Sequence, residues 1–100
     1  MFRVIAKKKF VTFWEKYPES ENVMEKFYSS LLHCKAKNFS ELKQTFNSVD
    51  VVGRRTIFDV HGNKYRVVAR VNYDPSRIIH VLGVFTHREY DKWTKDNRGK

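Results

Sequence analysis

The clearest order along the chain lies in its second half, where the pattern of apolar and polar residues reads as strand in three successive stretches. Residues 54–60 ("RRTIFDV") and 64–73 ("KYRVVARVNY") carry the period of two that a half-buried strand requires, and 77–85 ("RIIHVLGVF") reads as a third strand, apolar and β-branched. Gly62 and Asn63, both tolerant of positive φ, separate the first two. "DPS" at 74–76 separates the second from the third. Strands joined by turns this short form an antiparallel meander. The first half has helical spacing instead. After a short strand at 2–6, Phe10, Trp14 and Tyr17 fall at i, i+4 and i+7 with Phe13 beside them, and Pro18 ends that helix. Ser20 is the expected N-cap of a second helix, in which Val23, Met24, Phe27, Tyr28, Leu31 and Leu32 repeat to about Ala36. Ser40 is the expected cap of a short third helix carrying Leu42 and Phe46. Residues 47–55 read as a loop entering the first alternating strand.

Alternation divides the middle strand into two faces. Tyr65, Val67, Ala69, Val71 and Tyr73 make the core face, covered by the helices. Lys64, Arg66, Val68 and Arg70 make the other, a basic stripe with no acid of that strand to balance it. The neighbouring strand adds Arg54 and Arg55. The bland account of such a face is solvation. Cations spaced within about 20 Å on a rigid sheet also suit several phosphates at once, and arginine offers a planar fork to phosphate oxygens.

Charge favours the second account. The net charge is +9 and the pI about 9.9, which points to an anionic partner, most often nucleic acid. The excess lies mainly in residues 51–100, with eleven Lys and Arg against five acids, compared with nine against six before them. One hundred residues with 41% hydrophobic content predict a single domain with one core. No apolar run approaches the ~20 residues of a membrane span. The start places its apolar part before its charges, the reverse of a secretion signal, so a cytoplasmic location is expected. Cys34 alone allows no internal disulfide and fits a reducing compartment. With His33 it is too small a set for zinc, and no metal is expected. Lys7, Lys8 and Lys9 read as a solvated first turn, with a phosphate patch as the alternative.

"FTHREYDKW", residues 85–93, follows the last strand. Thr86 with Glu89 three residues on fits a capping box. Helical spacing then puts His87 one turn from Tyr90 and Asp91, at the end of the sheet that carries Arg66. Histidine, tyrosine and arginine together suit RNA cleavage without a metal, because RNA supplies its own 2′-hydroxyl nucleophile. The protein then adds proton transfer and positive charge at the phosphate. His87 suits acid or base, Arg66 the scissile phosphate, and Tyr90 the orientation of the nucleophile or base stacking. No acidic cluster suits Mg²⁺, and no serine has a nucleophile context. Two other readings share the basic face: a non-catalytic RNA- or ribosome-binding module, and a subunit that docks an acidic protein.

The segments "GNKYRVVARV" and "THREYDKW", with "IFDV" ahead of the first, resemble the HigB toxin family of bacterial toxin–antitoxin systems. The matching positions are Phe58, Val60, Gly62, Asn63, Tyr65, Arg66, Val67, Thr86, His87, Glu89, Tyr90 and Asp91. The resemblance implies an α+β, RelE-like fold: an N-terminal strand and helices on one face of a small twisted, mainly antiparallel sheet, with a short C-terminal helix. It implies a ribosome-dependent mRNA endonuclease that needs no cofactor. It also implies a HigA-like helix-turn-helix antitoxin as partner and ribosome-bound mRNA as substrate. Arg66, His87 and Tyr90 are the implied catalytic positions, with Lys64 and Arg70 supporting. His61 is expected to be an exposed turn residue, with a second proton-transfer role as the alternative, and His80 a packed one facing away from the site or at its margin.

Overall fold

Aromatic residues at helical spacing decide how the first half of the chain packs. In this computed structural model, which describes residues 1–5, 7–46 and 48–96, β1 (Arg3–Ile5) leads into α1 (Lys7–Lys16) and α2 (Glu21–His33). Phe10 and Phe13 of α1 are buried, as are Met24, Phe27 and Leu31 of α2. Pro18 ends α1 as expected and opens a 3₁₀ turn, Pro18–Ser20. Ser20 does occupy the cap position of α2, but its hydroxyl donates back to the Tyr17 carbonyl at 2.7 Å instead of capping. α2 stops at His33, short of Ala36, because Cys34 is already extended.

The short third helix, α3 (Phe39–Thr45), is capped by Asn38 rather than Ser40. Asn38 is extended, and its Oδ1 accepts the Glu41 amide at 2.9 Å, while Ser40 already lies inside the helix. An amide oxygen on an extended residue satisfies one of the orphan donors that begin a helix. Asn38→Ala is therefore expected to cost about 1 kcal/mol in urea unfolding, and Ser40→Ala a few tenths. Equal costs for the two would remove the assignment.

Four strands follow: β2 (Val49–Val52), β3 (Arg55–Val60), β4 (Tyr65–Asn72) and β5 (Ile78–Thr86). The sheet order is β1-β5-β4-β3-β2, antiparallel throughout except for β1, which pairs parallel with β5. The meander is as the alternation predicts. β2 is an addition, since its residues read as loop. Its last two residues, Val51 and Val52, are exposed although they point to opposite faces, so it is held by pairing with β3 across the Gly53 turn more than by burial. In the β3–β4 turn the left-handed residues are His61 and Gly62, not Gly62 and Asn63.

The core face is the expected one. Tyr65, Val67 and Ala69 are buried against α1 and α2, together with Phe58, Ile79 and Val81. Phe27 contacts Phe58 edge-on at 5.3 Å, which joins α2 to the middle of the sheet. The opposite face is not bare. The last helix, α4 (His87–Asp96), lies over it: Phe85 sits opposite Arg66 in the β4–β5 register and touches the rings of Tyr90 and Trp93. Val68 and Ile57 are consequently buried on that side, outside the main core cluster. His80 is exposed opposite Arg70, so it is not the packed residue expected.

Candidate nuclease site

Arg66 is the centre of the site, and it is nearly buried. Its side chain keeps 9% of its exposure, because α4 covers the strand face that alternation alone leaves open to solvent. A buried guanidinium requires partners for its donors. Nε pairs with Asp59 Oδ1 at 3.0 Å, one η nitrogen donates to the Tyr65 carbonyl at 3.2 Å, and the other donates to Asn63 Oδ1 at 2.7 Å. That last nitrogen also lies 3.0 Å from His87 Nδ1. The stripe therefore is balanced by an acid: Asp59 comes from β3 and stands directly opposite Arg66 in the register.

The contact with Arg66 selects the tautomer of a neutral His87. A guanidinium only donates, so Nδ1 accepts, and the neutral ring carries its proton on Nε2. Nε2 faces Asp91 Oδ2 at 3.3 Å, one helical turn on. The doubly protonated ring has no lone pair to offer Arg66, so this geometry holds the imidazole in one tautomer with its basic nitrogen turned to the guanidinium. The His87 amide donates to the Lys64 carbonyl at 2.9 Å, which joins the start of α4 to the β3–β4 turn.

Tyr90 completes the group. Its ring centroid is 5.8 Å from the Arg66 guanidinium carbon and 6.1 Å from the Trp93 ring, nearly parallel at 26°. Arg55 caps the other end of this row, 4.9 Å from the Trp93 ring. Arg66, His87 and Tyr90 thus meet. Lys64 adjoins them through its backbone, and Arg55 joins through Trp93. Arg54 stands in the exposed β2–β3 turn, and Arg70 lies four residues along β4, about 13 Å from Arg66 at strand rise. His61 is an exposed turn residue as expected; its ring stacks on Tyr65, whose side chain belongs to the core face.

Comparison with known proteins places the chain in a family. Residues 20–93 match the HigB toxin family, described as the RelE-like toxic component of a toxin-antitoxin system. The chain belongs to the HigB toxin family. Among its relatives, the mRNA interferase toxin HigB of Escherichia coli K12 is 33% identical over 89 residues, covering 86% of this chain and 85% of the relative. An mRNA interferase HigB of Escherichia coli O6:H1 is 28% identical over 95 residues, covering 92% and 91%.

Asp59, Asn63, Phe85 and Trp93 of this HigB-family chain were not legible as site residues. Asp59 and Asn63 stand in the quoted motifs, but one reads as a strand residue and the other as a turn former. Only the β3–β4 register, countable back from the short turn, brings Asp59 opposite Arg66.

The placement of His87 and Tyr90 depends on the capping box, which is present as expected. The Thr86 amide donates to Glu89 Oε1 at 3.0 Å, and the Glu89 amide donates to Thr86 Oγ1 at 3.2 Å. Glu89 Oε2 also accepts the Tyr17 hydroxyl at 2.8 Å and pairs with Lys16 at 3.3 Å, so one carboxylate ties α4 to α1. Burial pushes the Glu89 carboxyl up, but the Thr86 amide, the Tyr17 hydroxyl and Lys16 together hold it below its ordinary value. A carboxyl lowered by folding contributes stability above its unfolded pKa and loses it as pH falls through the folded one. Acid is therefore expected to loosen α4, read as a change in Trp93 fluorescence in a Trp14→Phe background at pH below the ordinary 4.5. The Glu89→Gln chain should lack that step. An identical acid response in both would rule out Glu89 as the tie.

Proposed function

We propose that this chain is the toxin of a type II toxin–antitoxin pair and cuts ribosome-bound mRNA without a metal ion. The carrying observation is the 3.0 Å contact between Arg66 and His87 Nδ1. The relatives named mRNA interferases support the substrate class. A scissile phosphate that engages the Arg66 fork draws it from its present partners and releases the Nδ1 lone pair of His87. His87 then takes the proton of the 2′-hydroxyl as a new bond forms from that oxygen to phosphorus. The bond from phosphorus to the 5′-oxygen breaks, and the leaving oxygen takes a proton. Tyr90, stacked on Trp93, orients the nucleotide or receives its base. Lys64, Arg55, Arg54 and Arg70 hold the neighbouring backbone. The 100 residues act as one domain in the cytoplasm, where ribosomes are. No described helix is long and apolar enough to cross a membrane. A HigA-like helix-turn-helix antitoxin is the partner.

The test is to map 5′ ends of mRNA on translating ribosomes exposed to the native chain. Cuts at fixed places in the reading frame are expected. Salt-sensitive ribosome binding with no cuts would replace this reading by that of a non-catalytic binding module.

A further inference from the structure

β1 is too short to cover β5. It pairs only with residues 78–80, and among the described residues no strand pairs with 81–86 on that side. A strand edge left open presents a row of unpaired N–H and C=O groups at strand spacing. Here the open edge lies at the bottom of a groove of about 870 Å³, with α1 on one bank and α4 on the other. Leu82, Gly83, Val84 and Phe85 line it consecutively, although alternate residues of a strand face opposite sides. That pattern means the groove looks onto the edge itself. Its walls are largely apolar, with Phe13 on the α1 side and Trp93 on the α4 side.

The rim is basic. Lys8, Lys9 and Lys92 line the groove and none of them is in an ion pair among the described residues, against one unpaired acid there, Asp96, while Lys16 is already spent on Glu89. Nucleic acid could use such cations and the aromatic rings beside them, but it makes no use of a free strand edge. An apolar trough over a free strand edge suits a polypeptide in extended form, with acidic residues to meet the lysines. The far edge of the sheet, β2, suits it less, because the hollow there offers one lysine, Lys43, beside Asp50 and the Arg66-paired Asp59.

We propose that an extended, acidic segment of the antitoxin, of about five residues at strand rise, adds to the β5 edge between α1 and α4. This rests on the toxin–antitoxin reading of the chain, and it places the partner against the back of the capping box that positions His87.

The test uses the complex of this chain with its antitoxin, obtained by co-expression. Hydrogen exchange is followed at those amides of 81–85 that point away from β4, since the Thr86 amide already donates to Glu89, with β2 as the internal control. The double variant Lys8→Glu/Lys92→Glu is compared with the native chain for antitoxin affinity and for cleavage by the free toxin. The expected result is new protection of these outward amides but not of β2, and about tenfold or greater loss of affinity, with cleavage unchanged. Outward amides left unprotected in a formed complex, or unchanged affinity of the variant, would overturn the proposal and leave the nuclease reading intact. Loss of cleavage with antitoxin affinity intact would overturn it in favour of an RNA surface. Failure of the native free chain to cut mRNA would instead count against the function proposed above.

Discussion

Arg66→Lys is expected to lower cleavage of ribosome-bound mRNA by about a hundredfold or more, although it keeps the positive charge. The arginine fork reaches Asp59 through Nε, the Tyr65 carbonyl through one η nitrogen, and Asn63 and His87 through the other. A single ammonium cannot satisfy four acceptors in those directions. It also cannot present two parallel donors to a phosphate. The stability cost should be smaller than the catalytic one. Asp59 is 37% exposed on its side chain, so losing the pair leaves a carboxylate that water still reaches, worth about 1 kcal/mol. Single-turnover cleavage and urea unfolding on the same preparations separate the two effects. A lysine variant that cuts at the native rate would show that the site needs only charge, and the fork geometry would lose its role.

The second large effect is expected at His87. His87→Ala should reduce cleavage by about 10²- to 10⁴-fold with ribosome binding preserved, which is the range for loss of a positioned proton-transfer group. The variant is informative because the start of α4 is held without the imidazole, and the Arg66 nitrogen that meets it keeps Asn63 as a partner. The His87 side chain is 48% exposed, and its structural bond is the backbone one to Lys64. The capping box uses Thr86 and Glu89. An alanine there is also a better helix former than histidine. Ribosome co-sedimentation at matched salt provides the binding readout. Equal losses of binding and cleavage would make His87 a contact residue and would favour the binding-module reading.

Much of this was legible because it is local. The strand patterns between residues 55 and 85 required three strands, and the turns between them were too short for anything but antiparallel pairing. The aromatic spacing of α1 and α2 identified the face that became core. "THRE" specified its own two reciprocal hydrogen bonds, and they are present. Arg66 could be placed on the face away from the core by parity alone. The errors have equally definite causes. β2 carries no burial pattern, since it is an edge strand held by its neighbour. Asn38 and Ser40 are both good caps in isolation, and the choice between them is made by where the chain turns extended.

The sequence by itself determined the elements, the core face, the capped start of α4 and the residue types that bear the chemistry, because periodicity and short-range hydrogen bonds act within a few residues. Only the tertiary structure decided which groups meet. The β3–β4 register set Asp59 against Arg66, and the docking of α4 on the outer face turned an expected solvent-facing stripe into a nearly buried guanidinium with His87 at its tip. The three-residue length of β1 was readable within a residue or two. Its parallel seat on only the first part of β5, which leaves the rest of that edge open, depends on contacts more than seventy residues apart.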